Sequence, residues 1–272
     1  HTRTRRQRQM CIRDRVRVTV SGSAPMPVEL IEWFRKVGVY ITNGYGMTEN
    51  CAICSSVDGR DFEKLNTVGK AQKGVELKID EATGEILMRG PFVMIGYYKN
   101  EELSNETLRG GWLHTGDLAE IDENGFAKII GRKKEIIITS GGKNIAPVEL
   151  ENLIKTHELI GQICMVGDGK KFLSALIVLD GDGGAEKWAN ENGVDYNIET
   201  MSKNEKVLSA IQDHVDQSNS KVANVQQIKK FTLLSNEWTD SSGELTPSLK
   251  LKRHVVAERY ENEIEAMYEE AK

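Results

Sequence analysis

The sequence predicts an α/β protein in two parts: a parallel sheet with a small β subdomain, then a small α+β domain. Three observations carry this. Residues 16–50 run as strand, small-residue turn, helix, strand and second small-residue turn, the order of a parallel βαβ unit. Residues 52–110 read as short strands and turns with a loop and short helix before Asp117, and Val75, Leu77 and Ile79 alternate as half-buried antiparallel strands do. Beyond a basic joint, Gly131-Arg132-Lys133-Lys134, strand and helix patterns start afresh. A chain of 272 residues is long enough to bury the core of one or two domains.

Val16, Val18 and Val20 alternate as a strand that leads into Ser21-Gly22-Ser23-Ala24-Pro25. Pro27 stands near the start of a helix expected over 28–37, with Leu30, Ile31 and Phe34 on one face. A second strand over 39–42 runs into the turn Asn43-Gly44-Tyr45-Gly46-Met47-Thr48-Glu49. Ligands of parallel α/β sheets sit at the carboxyl ends of the strands, where both turns fall. Strands follow at 75–79 and 85–89 around Thr83-Gly84, while Met94, Tyr97 and Tyr98 read as packing. Gly116-Asp117 reads as a tight turn presenting a carboxylate, and residues 118–130 as a hairpin about Asp122-Glu123-Asn124-Gly125.

After the joint a strand is expected over 135–139. The small-residue loop Ser140-Gly141-Gly142-Lys143 then feeds a helix begun by Pro147, with Val148, Leu150, Leu153 and Ile154 apolar. Residues 162–166 and 172–179 predict a strand pair. A helix over 202–225 places Leu208, Ile211, Val215 and Val222 in the core, and a strand spans 228–234. A last helix repeats Val256, Tyr260, Ile264 and Met267 at helical spacing.

Apolar content of 39% with 28% charged residues is that of an ordinary globular enzyme, and the formal net charge of −5 argues against a nucleic-acid partner. Cys11, Cys51, Cys54 and Cys164 lack the spacing of a disulfide framework, which favours a reducing compartment. Cys51 and Cys54 form a C-x-x-C without further ligands, so they read as buried small residues rather than a metal or redox pair. No apolar run is long enough to span a bilayer, and no apolar h-region marks a signal peptide. Residues 1–15 differ from the rest. They carry six arginines and one aspartate, net +5 against −10 for the remainder, and read as a disordered head foreign to the native protein.

Residues 111–151, GWLHTGDLAEIDENGFAKIIGRKKEIIITSGGKNIAPVELE, resemble as a whole segment the signature of the adenylate-forming superfamily, which includes acyl-CoA synthetases. Leu245-Thr246-Pro247-Ser248-Leu249-Lys250-Leu251-Lys252-Arg253 resembles its terminal lysine motif in the form used by long-chain fatty acyl-CoA synthetases. Other branches have Gly before that lysine, where this chain has Leu249. The resemblance implies ATP/AMP, Mg²⁺ and CoA as ligands. Gly22, Ser23 and Ala24 would line the adenine; Asn43, Gly44, Tyr45, Gly46 and Met47 would form its second wall, with Tyr45 stacked on the base. Thr48 would hold the α-phosphate and Glu49 the metal ion. Asp117 and Arg132 would bind the ribose hydroxyls, Lys134 would be the hinge, and Gly141 and Gly142 would line the path of CoA. Lys250 would be catalytic, with Lys252 and Arg253 as flanking basic residues.

The resemblance covers residues 16–272. It implies the end of the AMP-binding N-terminal domain over 16–131, a hinge over 132–134 and a C-terminal lid over 135–272. A Ser/Thr/Gly-rich loop ending in Lys, which members carry upstream, is not found. The expectation is therefore a fragment of a long-chain fatty acid–CoA ligase, inactive alone, cytoplasmic and compatible with peripheral membrane contact. Alternatives are a ligase for another carboxylic acid and a non-catalytic nucleotide- or CoA-binding fragment; oligomeric state is left open.

Overall fold

The computed structural model describes residues 16–269, so the expected disordered head lies outside the described residues. The chain divides into two compact units between Ile130 and Gly131.

In the first unit, β1 (Thr19–Ser21) lies parallel to β2 (Ile41–Tyr45), connected through α1 (Val28–Lys36). β3 (Ser55–Val57) pairs antiparallel with β2, and β4 (Lys70–Ala71) closes the edge. Two sequence expectations shift. Asn43, Gly44 and Tyr45 are strand rather than turn, because pairing with Val57, Ser56 and Ser55 extends β2 through them. The β1 pairing covers only Thr19 to Ser21, and Val16, Val18 and Val20 are exposed. The apolar face of α1 is also narrower than expected: Ile31 is fully buried, but Leu30 is 41% exposed.

A second sheet in this unit runs in the order β5 (Glu76–Ile79), β6 (Glu85–Arg89), β7 (Leu113–Ile121), β8 (Ala127–Arg132). α2 (Glu101–Thr107) is capped by Asn100, whose side chain accepts the Leu103 amide. The turn between β7 and β8 forms as expected: one oxygen of Asp122 accepts the amides of Asn124 and Phe126. Its first strand starts five residues earlier than expected, so Gly116-Asp117 lies inside β7 and not in a turn before it. Two small clusters, Cys54–Met88–Leu113 and Ile86–Ala119–Ala127, fill the unit, and Tyr45 packs against both.

The second unit is organised on β12 (Leu173–Leu179), every residue of which is buried. β11 (Ile160–Val166) pairs antiparallel on one side and β13 (Ile228–Leu234) parallel on the other. Side chains alternate across the sheet. Leu173, Ala175, Ile177 and Leu179 face a cluster with α3 (Val148–Ile154), α4 (Gly184–Asn192), α5 (Ile198–Met201) and α6 (Glu205–Asn219). Leu176 and Val178 face Trp238, α7 (Arg253–Arg259) and α8 (Glu261–Glu269). The Ser140–Lys143 loop does not feed α3 directly; it closes a hairpin of β9 (Ile137–Ile138) and β10 (Asn144–Ile145).

Two helix expectations are corrected by side-chain hydrogen bonds and backbone angles. α6 starts where Asn204 accepts the Lys206 and Val207 amides. It stops at Asn219, whose amide side chain bonds both the N–H and C=O of Ile228 and so joins the strand rather than the next turn. Val222 thus falls beyond the helix, although it still packs on the core. The last helix is two, broken at Tyr260 (φ −110°, ψ 30°), and its four expected core residues are all buried.

Replacing Ile177 by Ala should cost about 2–5 kcal/mol in chemical denaturation, whereas Ile138→Ala, at a half-exposed site, should stay within about 0.5 kcal/mol. Equal losses would contradict the placement of β12 at the centre.

Candidate functional site

Both small-residue motifs sit where parallel strands end. Ser21 of β1 pairs with Asn43 of β2, so Gly22-Ser23-Ala24 leaves the sheet beside Gly44-Tyr45-Gly46. The two approach closely enough that a Cβ on Gly22 would lie 2.9 Å from the Gly44 carbonyl oxygen. Gly46 is required more strictly: a Cβ there would meet the Ala52 carbonyl oxygen at 2.1 Å. Gly22, Ser23 and Ala24 are exposed, and Ser23 adopts φ 66°.

Tyr45 and Asp117 meet. The Tyr45 hydroxyl donates to Asp117 Oδ2 at 2.6 Å, which joins the end of β2 to β7 in the neighbouring sheet. Burial, and then the adjacent Asp117 charge, push the phenol well above its ordinary range, so it remains a donor. Asp117 is 6% exposed and stands in an irregularity of β7 where the register with β6 shifts between Glu85 and Leu87. Gly116, at φ 73°, makes that bulge. Its amide donates to Glu85 Oε1 at 2.7 Å, Thr115 Oγ1 donates to the Ile86 carbonyl, and the Asp117 amide donates back to Thr115 Oγ1. A carboxylate oxygen accepts more than one hydrogen bond, so Tyr45 does not exhaust the acceptor capacity of Asp117.

Thr48 and Glu49 lie in a 3₁₀ turn, Thr48–Asn50, with Thr48 exposed and Glu49 half-buried. Asn50 accepts the Met47 amide through its side chain at 2.9 Å and is itself 3% exposed. The Tyr97 hydroxyl donates to Glu49 Oε1 at 2.8 Å, and the Met94 amide donates to the Glu49 carbonyl. Of the three residues read as packing, Tyr98 is instead 88% exposed, and Tyr97 serves to orient Glu49. One carboxylate oriented by a tyrosine suits a cation that takes its other ligands from phosphate and water, as Mg²⁺ does. Among the described residues no group of three acidic, His or Cys side chains gathers to hold a metal alone.

Arg132 ends β8, exposed, and Lys134 is exposed in the 3₁₀ turn Lys133–Glu135. Gly141 and Gly142 are exposed at the β9–β10 turn, whose Ser140, Gly142 and Lys143 amides are engaged by Lys170, Thr139 and the Thr139 hydroxyl. Lys250, exposed, stands near the tip of a second hairpin closed by a Leu245–Leu251 bridge. Leu249, where other branches carry Gly, is at φ 59° and 64% exposed, a left-handed conformation costing about 1–2 kcal/mol for a residue with a Cβ. Arg253 is not a solvated flank: it forms a two-pronged pair with Glu151 and reaches Glu135.

Sequence reasoning missed Glu85, Asn50, Tyr97 and Arg253. Each acts through a contact distant in sequence or through burial, and only Asn50, three residues after Met47 in a small-residue turn, offered a local cue. The C-x-x-C is also corrected in part. Cys54 is buried, but Cys51 is exposed because it closes the 3₁₀ turn at φ 60° and turns outward.

The profile of the AMP-binding enzymes matches residues 3–98, and that of the AMP-binding enzyme C-terminal domain matches residues 134–272. The chain belongs to the AMP-binding enzyme family. It is 41% identical over 254 residues to the long-chain-fatty-acid–CoA ligase FadD15 of Mycobacterium bovis, an alignment covering 93% of this chain and 42% of that protein. It is 34% identical to the long-chain-fatty-acid–CoA ligase ACSBG2 of Xenopus laevis, covering 95% of this chain and 38% of the relative. The chain thus spans less than half the length of these relatives. Among solved structures it resembles O-succinylbenzoate coenzyme A synthetase of Bacillus subtilis in complex with ATP and magnesium ion, with TM-score 0.67, 27% identity, and coverage of 88% of this chain and 46% of that one. The fold is shared with the A domain of a carboxylic acid reductase from Segniliparus rugosus at TM-score 0.75 and 24% identity, covering 95% of this chain and 40% of that one.

Tyr45→Phe leaves a buried carboxylate short of a donor and should lower stability by about 1–3 kcal/mol in thermal or denaturant unfolding. No change would mean that water replaces the hydroxyl freely. Thiol labelling tests the cysteines. Burial pushes Cys54 up to about 11 and Cys164 up to about 12, so at pH 8 iodoacetamide should modify Cys51 in the folded protein and leave those two intact. Because the unfolded chain releases these protons first, in the ordinary thiol range near about 8.5, stability should fall as pH rises above that range.

Proposed function

We propose that this chain is the nucleotide- and lysine-bearing part of a long-chain fatty acid–CoA ligase. The observation that carries the reading is the Tyr45–Asp117 hydrogen bond, which sets a buried carboxylate beside the two small-residue strand ends. The long-chain branch is supported by the TPSLKLKR ending and by the identity to long-chain ligases.

In this account the adenine enters between Gly22–Ala24 and Tyr45, a wall poor in Cβ atoms on one side and an aromatic ring on the other. Asp117 and Arg132 take the ribose hydroxyls and Thr48 the α-phosphate. Glu49, held by Tyr97, would carry Mg²⁺, which supplies charge neutralisation on the phosphates. An oxygen of the fatty carboxylate bonds to the α-phosphorus, and pyrophosphate departs with the electrons of the broken P–O bond. Lys250 offsets the negative charge that gathers as two anions meet; one well-placed donor is worth about 3 kcal/mol or more. The sulfur of CoA then bonds to the acyl carbon, its proton passes to solvent, and AMP leaves with the electrons of the broken acyl C–O bond. Lys250 withdraws at this point by rotation of the second unit about Lys134, and Gly141 and Gly142 leave room for the thiol-bearing arm.

A protein carrying this chain with the upstream region of its relatives tests the reading. Lys250→Ala should cut acid-dependent ATP–pyrophosphate exchange by at least about 100-fold while thioester formation from preformed acyl-adenylate largely survives. Equal loss of both half-reactions would reject the role of Lys250. Exchange driven only by short or aryl acids would instead select a ligase for another carboxylic acid.

A further inference from the structure

The hairpin that carries Lys250 is short and exposed at its tip. Beside the Leu245–Leu251 bridge, the Lys252 amide donates to the Glu244 carbonyl and the Thr246 amide to the Lys250 carbonyl, each at 2.8 Å. The Leu249 amide donates to the Thr246 carbonyl and the Lys250 amide to Thr246 Oγ1; these bonds shape the hairpin but do not tie it to the rest of the unit. Its tip includes the left-handed Leu249. Its orientation is set instead by ion pairs at its two feet. On the entering side Glu244, 1% exposed, is bound by Arg259 and by the Tyr260 hydroxyl. On the leaving side Arg253, three residues past the lysine, donates through both terminal nitrogens to Glu151 and through Nε to Glu135 at 3.3 Å. Glu151 Oε1 also accepts the Met165 amide at 2.7 Å.

One guanidinium therefore ties together four segments: the turn Lys133–Glu135, helix α3, strand β11 and the lysine hairpin. The pair with Glu151 would suffice to join the hairpin to the sheet. The reach to Glu135 does something more, because Glu135 directly follows Lys134, the residue assigned as hinge.

We propose that Arg253 is the positioning residue of Lys250, locking its hairpin to the Lys133–Glu135 turn so that lysine and hinge turn as one body. Rotation at the joint is then transmitted to the lysine without slack, and the lysine enters and leaves by the same angle as the unit that bears it. A lysine in place of Arg253 keeps the charge but cannot make three directed bonds from one rigid fork. The inference rests on the role given to Lys250 above.

The test uses the ¹⁵N-labelled 272-residue chain and the variants Arg253→Lys and Glu135→Ala; the second leaves the buried pair with Glu151 intact and guards against simple misfolding. Amide heteronuclear NOEs at residues 246, 248–252 should fall in both variants while those of β11 and β12 keep their values. In the ligase with its upstream region, Arg253→Lys should lower kcat for exchange by about tenfold and leave KM for ATP within about twofold. Unchanged hairpin NOEs, or a loss spread evenly over hairpin and sheet, would overturn the proposal and leave Arg253 a fold-supporting residue. Lys250→Ala measured alongside separates the two questions: if exchange survives it, the catalytic role of the lysine falls, while the NOEs still report whether Arg253 orients the hairpin.

Discussion

The hydrogen bond from Tyr45 to Asp117 is the constraint on which the first unit turns. It spans two sheets that also meet through small hydrophobic clusters and the Gly69–Ala127 bridge, and it is made by the last residue of a parallel strand and a bulged residue of an antiparallel one. Removing it takes away a directed bond between the two sheets. The buried carboxylate would lose this donor, while the ring would keep only its packing against the two clusters. A buried charge is tolerated when its hydrogen bonds are directed, and the β7 bulge directs them. Glu85 holds the Gly116 amide, Thr115 clips the strand to Ile86, and Gly116 takes the left-handed conformation that places the Asp117 side chain inward.

The second unit solves a different problem. Its sheet has only three strands, so it gains stability by burying both faces of the central one. That leaves a rigid body from which a short, exposed hairpin projects its lysine. An exposed lysine can project from that body because Glu244 and Glu151 at the feet of the hairpin are buried and paired, with Arg259 and Arg253, while the tip is exposed. Buried pairs of this kind contribute little net stability relative to apolar packing. What the pair of Arg253 with Glu151 supplies is directed geometry, two prongs from one guanidinium.

Much of this was legible in the sequence where the signal was local. The β12 run, the alternation at Leu77 and Ile79, the turn at Asp122–Gly125 and the apolar faces of the last two helices follow from side-chain period and turn chemistry, and the structure has them. The candidate site was legible in composition but not in conformation. Gly116-Asp117 carries the residues of a turn, yet pairing with β6 draws them into a strand, a tertiary effect that no window of sequence contains. Tyr45 likewise reads as a loop residue until β3 arrives to extend β2. Arg253 was invisible for a related reason: a basic residue among lysines looks solvated, and its partners Glu151 and Glu135 lie more than a hundred residues earlier.

The most direct measurement of the central claim is a calorimetric comparison of AMP with its 2′,3′-dideoxy analogue, on the chain as it stands and on Asp117→Ala. If Asp117 receives the ribose hydroxyls, removing them should weaken binding to the unaltered chain by about tenfold or more, and should make little difference once the carboxylate is gone. The same discrimination in both proteins, or none in the first, would contradict a nucleotide site built on Tyr45 and Asp117.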